Sequence, residues 1–157
     1  LPSSPPLLLE FIADFNVNGT NPQAGPDTAE EGFSGQISNG DHALTGCFTF
    51  NAYGASFGCN STGPDCDFTF TGLRYNSSSG EEYSVTSQNY SISACPALSK
   101  CTLMLIPLDN TFVDLNAIQI NATVAGAPAM WWMDDLRLGW FNNSCTAGLC
   151  RQSAHIH

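Results

Sequence analysis

The sequence predicts an all-β domain, a two-sheet β-sandwich of jelly-roll type with about 7–9 strands stapled by local disulfides. Three observations carry that prediction. Apolar residues alternate with a period of two through most of the chain, no segment sustains a helical period, and clusters of Gly, Pro, Asn and Ser separate the apolar runs. At 157 residues the chain is long enough for one two-layer core and too short for two ordinary domains. An immunoglobulin-like sandwich is the alternative. Against it, the cysteine spacings are short and no separated pair flanks a tryptophan.

Residues 1–6, LPSSPP, read as an extended Pro-rich arm that no helix can incorporate. In the LLLEFIADF that follows, Leu7, Leu9, Phe11, Ala13 and Phe15 share one parity while Glu10 and Asp14 share the other, the pattern of a half-buried strand. Residues 18–31 form a long polar loop containing Pro22 and Pro26. Alternation returns through Leu44, Phe48 and Phe50, and a Cys-bounded loop over roughly 54–66 leads into the strand DFTFTGLRY. NSSSGEE makes a turn, and YSVTSQNYSI reads as another strand. CTLMLIPL, FVDLNAIQINATV and AMWWMDDLRLGW are three further strands of strong β-propensity. The sandwich is thus expected over 7–141, with a disulfide-closed C-terminal tail over 142–157.

Charge narrows the partners. Arg74, Lys100, Arg137 and Arg151 are the only Lys or Arg residues, against 14 acidic ones, for a net charge of −10. Such a chain cannot replace phosphate counterions, which excludes nucleic acid and anionic membrane surfaces as partners. No stretch approaches the roughly 20 apolar residues of a membrane span. The chain opens on Leu1 rather than Met, as expected of a mature product whose signal peptide has been removed.

Seven cysteines in a chain of this size point to an oxidising, extracellular compartment. Spacing suggests three local disulfides, Cys59 with Cys66, Cys95 with Cys101 and Cys145 with Cys150, leaving Cys47 over. Pairing of Cys47 with Cys59 or Cys66 stays open, and the remaining thiol is expected to be buried or to bridge to another chain. The pairs lack the C-x2-C spacing of a zinc site. Asn18, Asn60, Asn76, Asn89, Asn121 and Asn142 each begin an N-x-S/T sequon, so N-linked glycans are expected on most of them.

The densest functional signal lies between Met130 and Trp140. Leu136 and Leu138 mark one parity as core-facing, which places Trp132, Asp134 and Trp140 inward and Trp131 outward. An inward carboxylate needs a partner. Arg side chains or backbone amides are one answer. With so few cations in the chain, calcium is another, held by Asp134 with Glu10 or Asp14 and backbone carbonyls.

The closing run Met133-Asp134-Asp135-Leu136-Arg137-Leu138 resembles the final strand of galactose-binding-like jelly rolls, which include many carbohydrate-binding modules. The opening Leu9-Glu10-Phe11 resembles the first strand of secreted fungal proteins of this type. The resemblance covers the two terminal strands closely and the middle of the chain by strand pattern. It implies a secreted eukaryotic source and a structural calcium held by Asp134 and Glu10. The first strand departs from the family by having Phe11-Ile12 where acids are usual.

Aromatic rings supply the other candidate site. Sugars present C–H faces that stack on indole and phenol rings, so Trp131, Trp140 and Tyr75 are the expected ligand contacts, against the bland alternative that they fill the core. Catalysis finds little support. Neither a G-x-S-x-G nor an H-E-x-x-H motif occurs, Asp134 and Asp135 point to opposite faces of a strand, and His42, His155 and His157 lie in polar or terminal segments. The expectation is a non-catalytic domain that binds a glycan or polysaccharide at the cell surface or matrix. The alternative is a structural subunit of an extracellular coat or filament, self-assembling through the 1–6 arm, and a polysaccharide lyase or hydrolase ranks below both.

Overall fold

A computed structural model of the chain describes residues 8–11, 34–40 and 45–154. Among these residues it contains nine strands: β1 (Leu9–Phe11), β2 (Ser34–Ser38), β3 (Phe50–Cys59), β4 (Cys66–Asn76), β5 (Glu81–Ile92), β6 (Met104–Pro107), β7 (Ala117–Val124), β8 (Ala127–Pro128) and β9 (Trp131–Trp140). One helix, α1 (Cys145–Ala154), closes the described chain.

The strands form two antiparallel sheets, ordered β1-β9-β3-β6 and β2-β7-β4-β5, with the two-residue β8 paired to β7. Leaving β8 aside, successive strands alternate between the two sheets except for the β4–β5 hairpin, which is the jelly-roll order, so the expected fold class holds. First and last strands meet as neighbours, with Leu9 opposite Met133 and Phe11 opposite Trp131.

Period-two alternation is why these segments pair and stack. On β4, Cys66, Phe68, Phe70 and Gly72 are buried while Asp67 and Thr69 are exposed. On β7, Ile118, Ile120 and Ala122 are buried between half-buried Gln119 and Asn121. The centre of the core is aromatic. Phe57 stands 5.2 Å from both Phe68 and Phe70, and Trp131 lies 5.8 Å from Phe57, measured between ring centroids. Such clusters stabilise beyond their buried area.

β3 and β9 carry the irregularity that shapes the site. Ala52 pairs with Leu138 and Gly54 with Arg137, so β3 holds one extra residue there, Tyr53. Gly54 pairs with Arg137 and Ser56 with Asp134, so β9 then holds the extra residue. Asp135 adopts φ +52° at this second bulge, and the Asp134 carboxylate accepts the Asp135 N–H at 2.8 Å. A bulge of this kind reverses which parity faces the core. Gly54, at φ +136°, has no room for a side chain, because an added Cβ would collide with the Ile106 carbonyl.

Several expectations need correcting. The segment expected as a loop from 54 is strand: β3 runs through to Cys59, alternating buried Ala55, Phe57 and Cys59 with half-buried Ser56 and Gly58. β2 carries only Ile37 as a large apolar residue, too sparse a signal for a strand to be read from it. The expected tail is a ten-residue helix up to Ala154. Ser144 starts it by accepting the Ala147 N–H on its hydroxyl, and Ala147 is buried beside Cys47 and Phe48.

The disulfides also differ from expectation. Cys59–Cys66 and Cys95–Cys101 form as expected, but Cys150 bonds Cys47 across 103 positions and Cys145 is an exposed thiol. Short spacing misled here because both cysteines sit on one short helix, whose Cys150 side packs on the segment before β3. Residues 1–6, Asn18, His42, His155 and His157 lie outside the described residues.

Candidate functional site: an aromatic cleft at one end of the sandwich

The C-terminal end of β9, the start of β3 and the end of β2 converge at one end of the sandwich and leave a cleft of about 400 Å³. Its apolar lining is Ile37, Phe48, Phe50, Leu138 and Trp140, joined by Ser38, Asn39 and Gly139. None of the described lining residues is ionisable. The volume falls within the usual range of small-ligand clefts.

Trp140 is the central wall. It is 42 % exposed, yet held on two sides. Phe48 meets it edge-on with centroids 5.9 Å apart, and the Arg151 guanidinium carbon lies 4.7 Å from the indole centroid. Arg151 is fixed in turn, because one guanidinium nitrogen donates to the Cys47 carbonyl at 2.7 Å and the Asn142 carbonyl at 3.0 Å. The Cys47–Cys150 disulfide ties both segments together. A cation over the indole face contributes roughly 0.5–1 kcal/mol at an exposed site. The ring is therefore presented in one orientation before any ligand arrives, which lowers the ordering cost of binding.

Asn39 contributes polarity. Its side-chain N–H reaches the Phe48 carbonyl at 3.4 Å, whereas its Oδ1 is enclosed without a hydrogen-bond partner among the described residues. The Ser38 hydroxyl accepts the Gly40 N–H at 3.2 Å.

Of the three aromatic residues expected to contact ligand, Trp140 alone lines this cleft. Trp131, expected outward, is 2 % exposed and stacks on Phe11 at 5.2 Å in the core. The cause is the Asp134–Asp135 bulge, which inverts the parity marked by Leu136 and Leu138 for the residues before it. Trp132 is accordingly half-buried on the other face. Tyr75 sits two residues past Leu73, which pairs with Ala117, and it does not line the cleft. Phe50 and Leu138 were legible as core-parity residues. Asn39, Ile37 and Arg151 were not, since no local pattern announces them.

Asp134 is 8 % exposed, but it pairs with half-buried Ser56 and shares its face of β9 with Trp132, away from core residues Trp131 and Met133, so the parity that placed it inward fails here too. Glu10 is exposed on β1 opposite Trp132, one alternate position from Asp134 on the neighbouring strand. Among the described residues no three His, Cys, Asp or Glu side chains gather as a metal site. The Asp134 carboxylate serves at least the Asp135 amide at the bulge.

The sequons fall unevenly. Asn60, Asn76, Asn89 and Asn142 are exposed, while Asn121 is half-buried with an enclosed Oδ1 that has no hydrogen-bond partner among the described residues. Asn89 and Asn121 flank Thr69 in one row across the sheet, on the face opposite the core. Thr69 donates to Asn89 at 3.0 Å. A second cleft of about 360 Å³ lies beside Asn89, between β4 and β5.

Fold and site together define a disulfide-stapled jelly-roll domain with an aromatic cleft at one end of its sandwich. The chain belongs to the DUF7371 family, described as a domain of unknown function, whose family model matches residues 1–151. No curated protein and no solved structure matches the chain. Three disulfides are compatible with an oxidising extracellular compartment, and among the described residues no helix is long and apolar enough to cross a membrane.

Proposed function

We propose that this chain is a secreted, N-glycosylated, non-catalytic domain that binds a neutral carbohydrate in the Trp140 cleft. One observation carries the reading: an exposed, pre-oriented indole walls a cleft whose described lining is apolar or uncharged. A sugar's C–H face suits the indole, and its hydroxyls suit the polar edge at Ser38 and Asn39. The chain's net charge of −10 disfavours an anionic ligand such as a uronate. Support from sequence is the likeness of the terminal strands to carbohydrate-binding jelly rolls.

Calcium at Asp134 and Glu10 stays a proposal supported by their placement on adjacent strands. The coat or filament alternative would engage residues 1–6, which lie outside the described residues.

A panel of immobilised neutral and acidic polysaccharides tests the reading. Retention on a neutral polysaccharide, lost in Trp140→Ala while that variant stays folded, is the expected result. Absence of binding across the panel, or binding unchanged in Trp140→Ala, overturns it.

A further inference from the structure

We infer that Asn142 carries an N-glycan whose first N-acetylglucosamine packs on Trp140, so that the domain's own sugar occupies the mouth of the cleft. Of the six sequons, Asn142 alone follows an aromatic residue by two positions, in the run Trp140-Phe141-Asn142-Asn143-Ser144. Two residues of chain span at most about 7 Å. The structure tightens that closeness, because the Arg151 guanidinium lies over the Trp140 ring and also binds the Asn142 carbonyl. One guanidinium group therefore contacts both the indole and the backbone of the sequon.

The turn is set for the modification. Asn142 Oδ1 accepts the Ser144 N–H at 3.0 Å, leaving the amide nitrogen to bear the sugar. Asn143 donates to the Trp140 carbonyl at 3.1 Å, and Phe141 donates its N–H to Thr49 at 3.0 Å. These contacts fix the backbone on both sides of Asn142 while its side chain stays exposed. The rim beside it is apolar, with Trp140 42 % and Phe141 49 % exposed. Exposed rings at the base of a glycan meet the C–H face of its first sugar, the same chemistry that suits the cleft to a free sugar.

In the attachment, the Asn142 amide nitrogen bonds the anomeric carbon of an oligosaccharide carried on a lipid diphosphate. The anomeric C–O bond to the diphosphate breaks, the lipid diphosphate leaves, and the amide loses one proton. Blocking of the cleft rests on the carbohydrate reading above; packing on the indole does not.

The test compares the domain secreted from a eukaryotic host, the same protein trimmed enzymatically to single N-acetylglucosamine residues, and Asn142→Gln. Glycopeptide mapping should find Asn142 occupied. The trimmed protein should show proton resonances of that N-acetylglucosamine shifted upfield by the ring current, a shift lost in Trp140→Ala. Asn142→Gln should bind a neutral oligosaccharide about tenfold more tightly than the intact glycoprotein, a difference of about 1.4 kcal/mol. An unmodified Asn142, or an unshifted sugar, overturns the inference. Equal binding by the two forms overturns the blocking and leaves the proposed function standing. A shifted sugar with no binding by either form overturns the proposed function and leaves the packing standing.

Discussion

Cys47 and Cys150 are joined by a disulfide across 103 positions, while Cys145, five residues from Cys150 on the same helix, remains an exposed thiol. The bond anchors α1 to the segment that enters β3, and with it Arg151 above Trp140. Closing so long a loop constrains the unfolded chain strongly, so Cys150→Ser should cost about 2–5 kcal/mol in chemical denaturation. Cys145→Ser should change stability by less than about 0.5 kcal/mol. Non-reducing peptide mapping should recover the Cys47–Cys150 pair; a Cys145–Cys150 peptide would refute the assignment.

Trp131 and Trp140 end the same strand yet answer to different forces. Trp131→Ala removes a buried indole from an aromatic cluster and should destabilise by about 3–5 kcal/mol. Trp140→Ala should cost about 1 kcal/mol, because its ring is half in solvent, and should abolish sugar retention. Thermal unfolding and retention measured on both variants separate the two roles.

Asp134 has two candidate roles, bulge cap and calcium ligand, and one variant distinguishes them. Its carboxylate holds the Asp135 N–H, and no third acidic group joins it and Glu10 among the described residues. Asp134→Ala should therefore destabilise by about 1–3 kcal/mol, the cost of a lost buried hydrogen bond, equally with millimolar calcium and with chelator. A Tm that rises with calcium in the wild type and not in the variant would assign the ligand role instead.

Asp109 should titrate below the ordinary aspartate range. Its carboxylate accepts hydrogen bonds from the Thr111 hydroxyl and, at 2.8 Å, from the Thr111 N–H, and both favour the charged form. A folded value below the unfolded one contributes stability that is present above the unfolded pKa and lost as pH falls through the folded pKa. Carboxyl-carbon NMR titration should place this midpoint below the ordinary aspartate value, and Thr111→Val should raise it.

Much of the fold was legible because sheet formation writes itself locally. Alternation in Phe68-Thr69-Phe70 or Ile118-Gln119-Ile120 fixes which face is buried, whatever the partner strand. β2 escaped because Ser34-Gly35-Gln36-Ile37-Ser38 has little apolar content, and pairing with β7 makes it a strand. The candidate site was half legible. Trp140 stood out by type and Leu138 by parity, but Asn39 joins the cleft and Arg151 reaches the indole from distant parts of the chain.

The sequence by itself determined an all-β sandwich, its approximate strands, two local disulfides and a sequon two residues past a tryptophan. All of these depend on neighbours within a few residues. Only the tertiary structure decided that Trp131 is core and Trp140 is cleft, and that Cys150 reaches Cys47 rather than Cys145. The physical reason is the same in both cases. One extra residue at the Asp134–Asp135 bulge inverts a strand's faces, and one docked helix replaces a short spacing with a long-range contact.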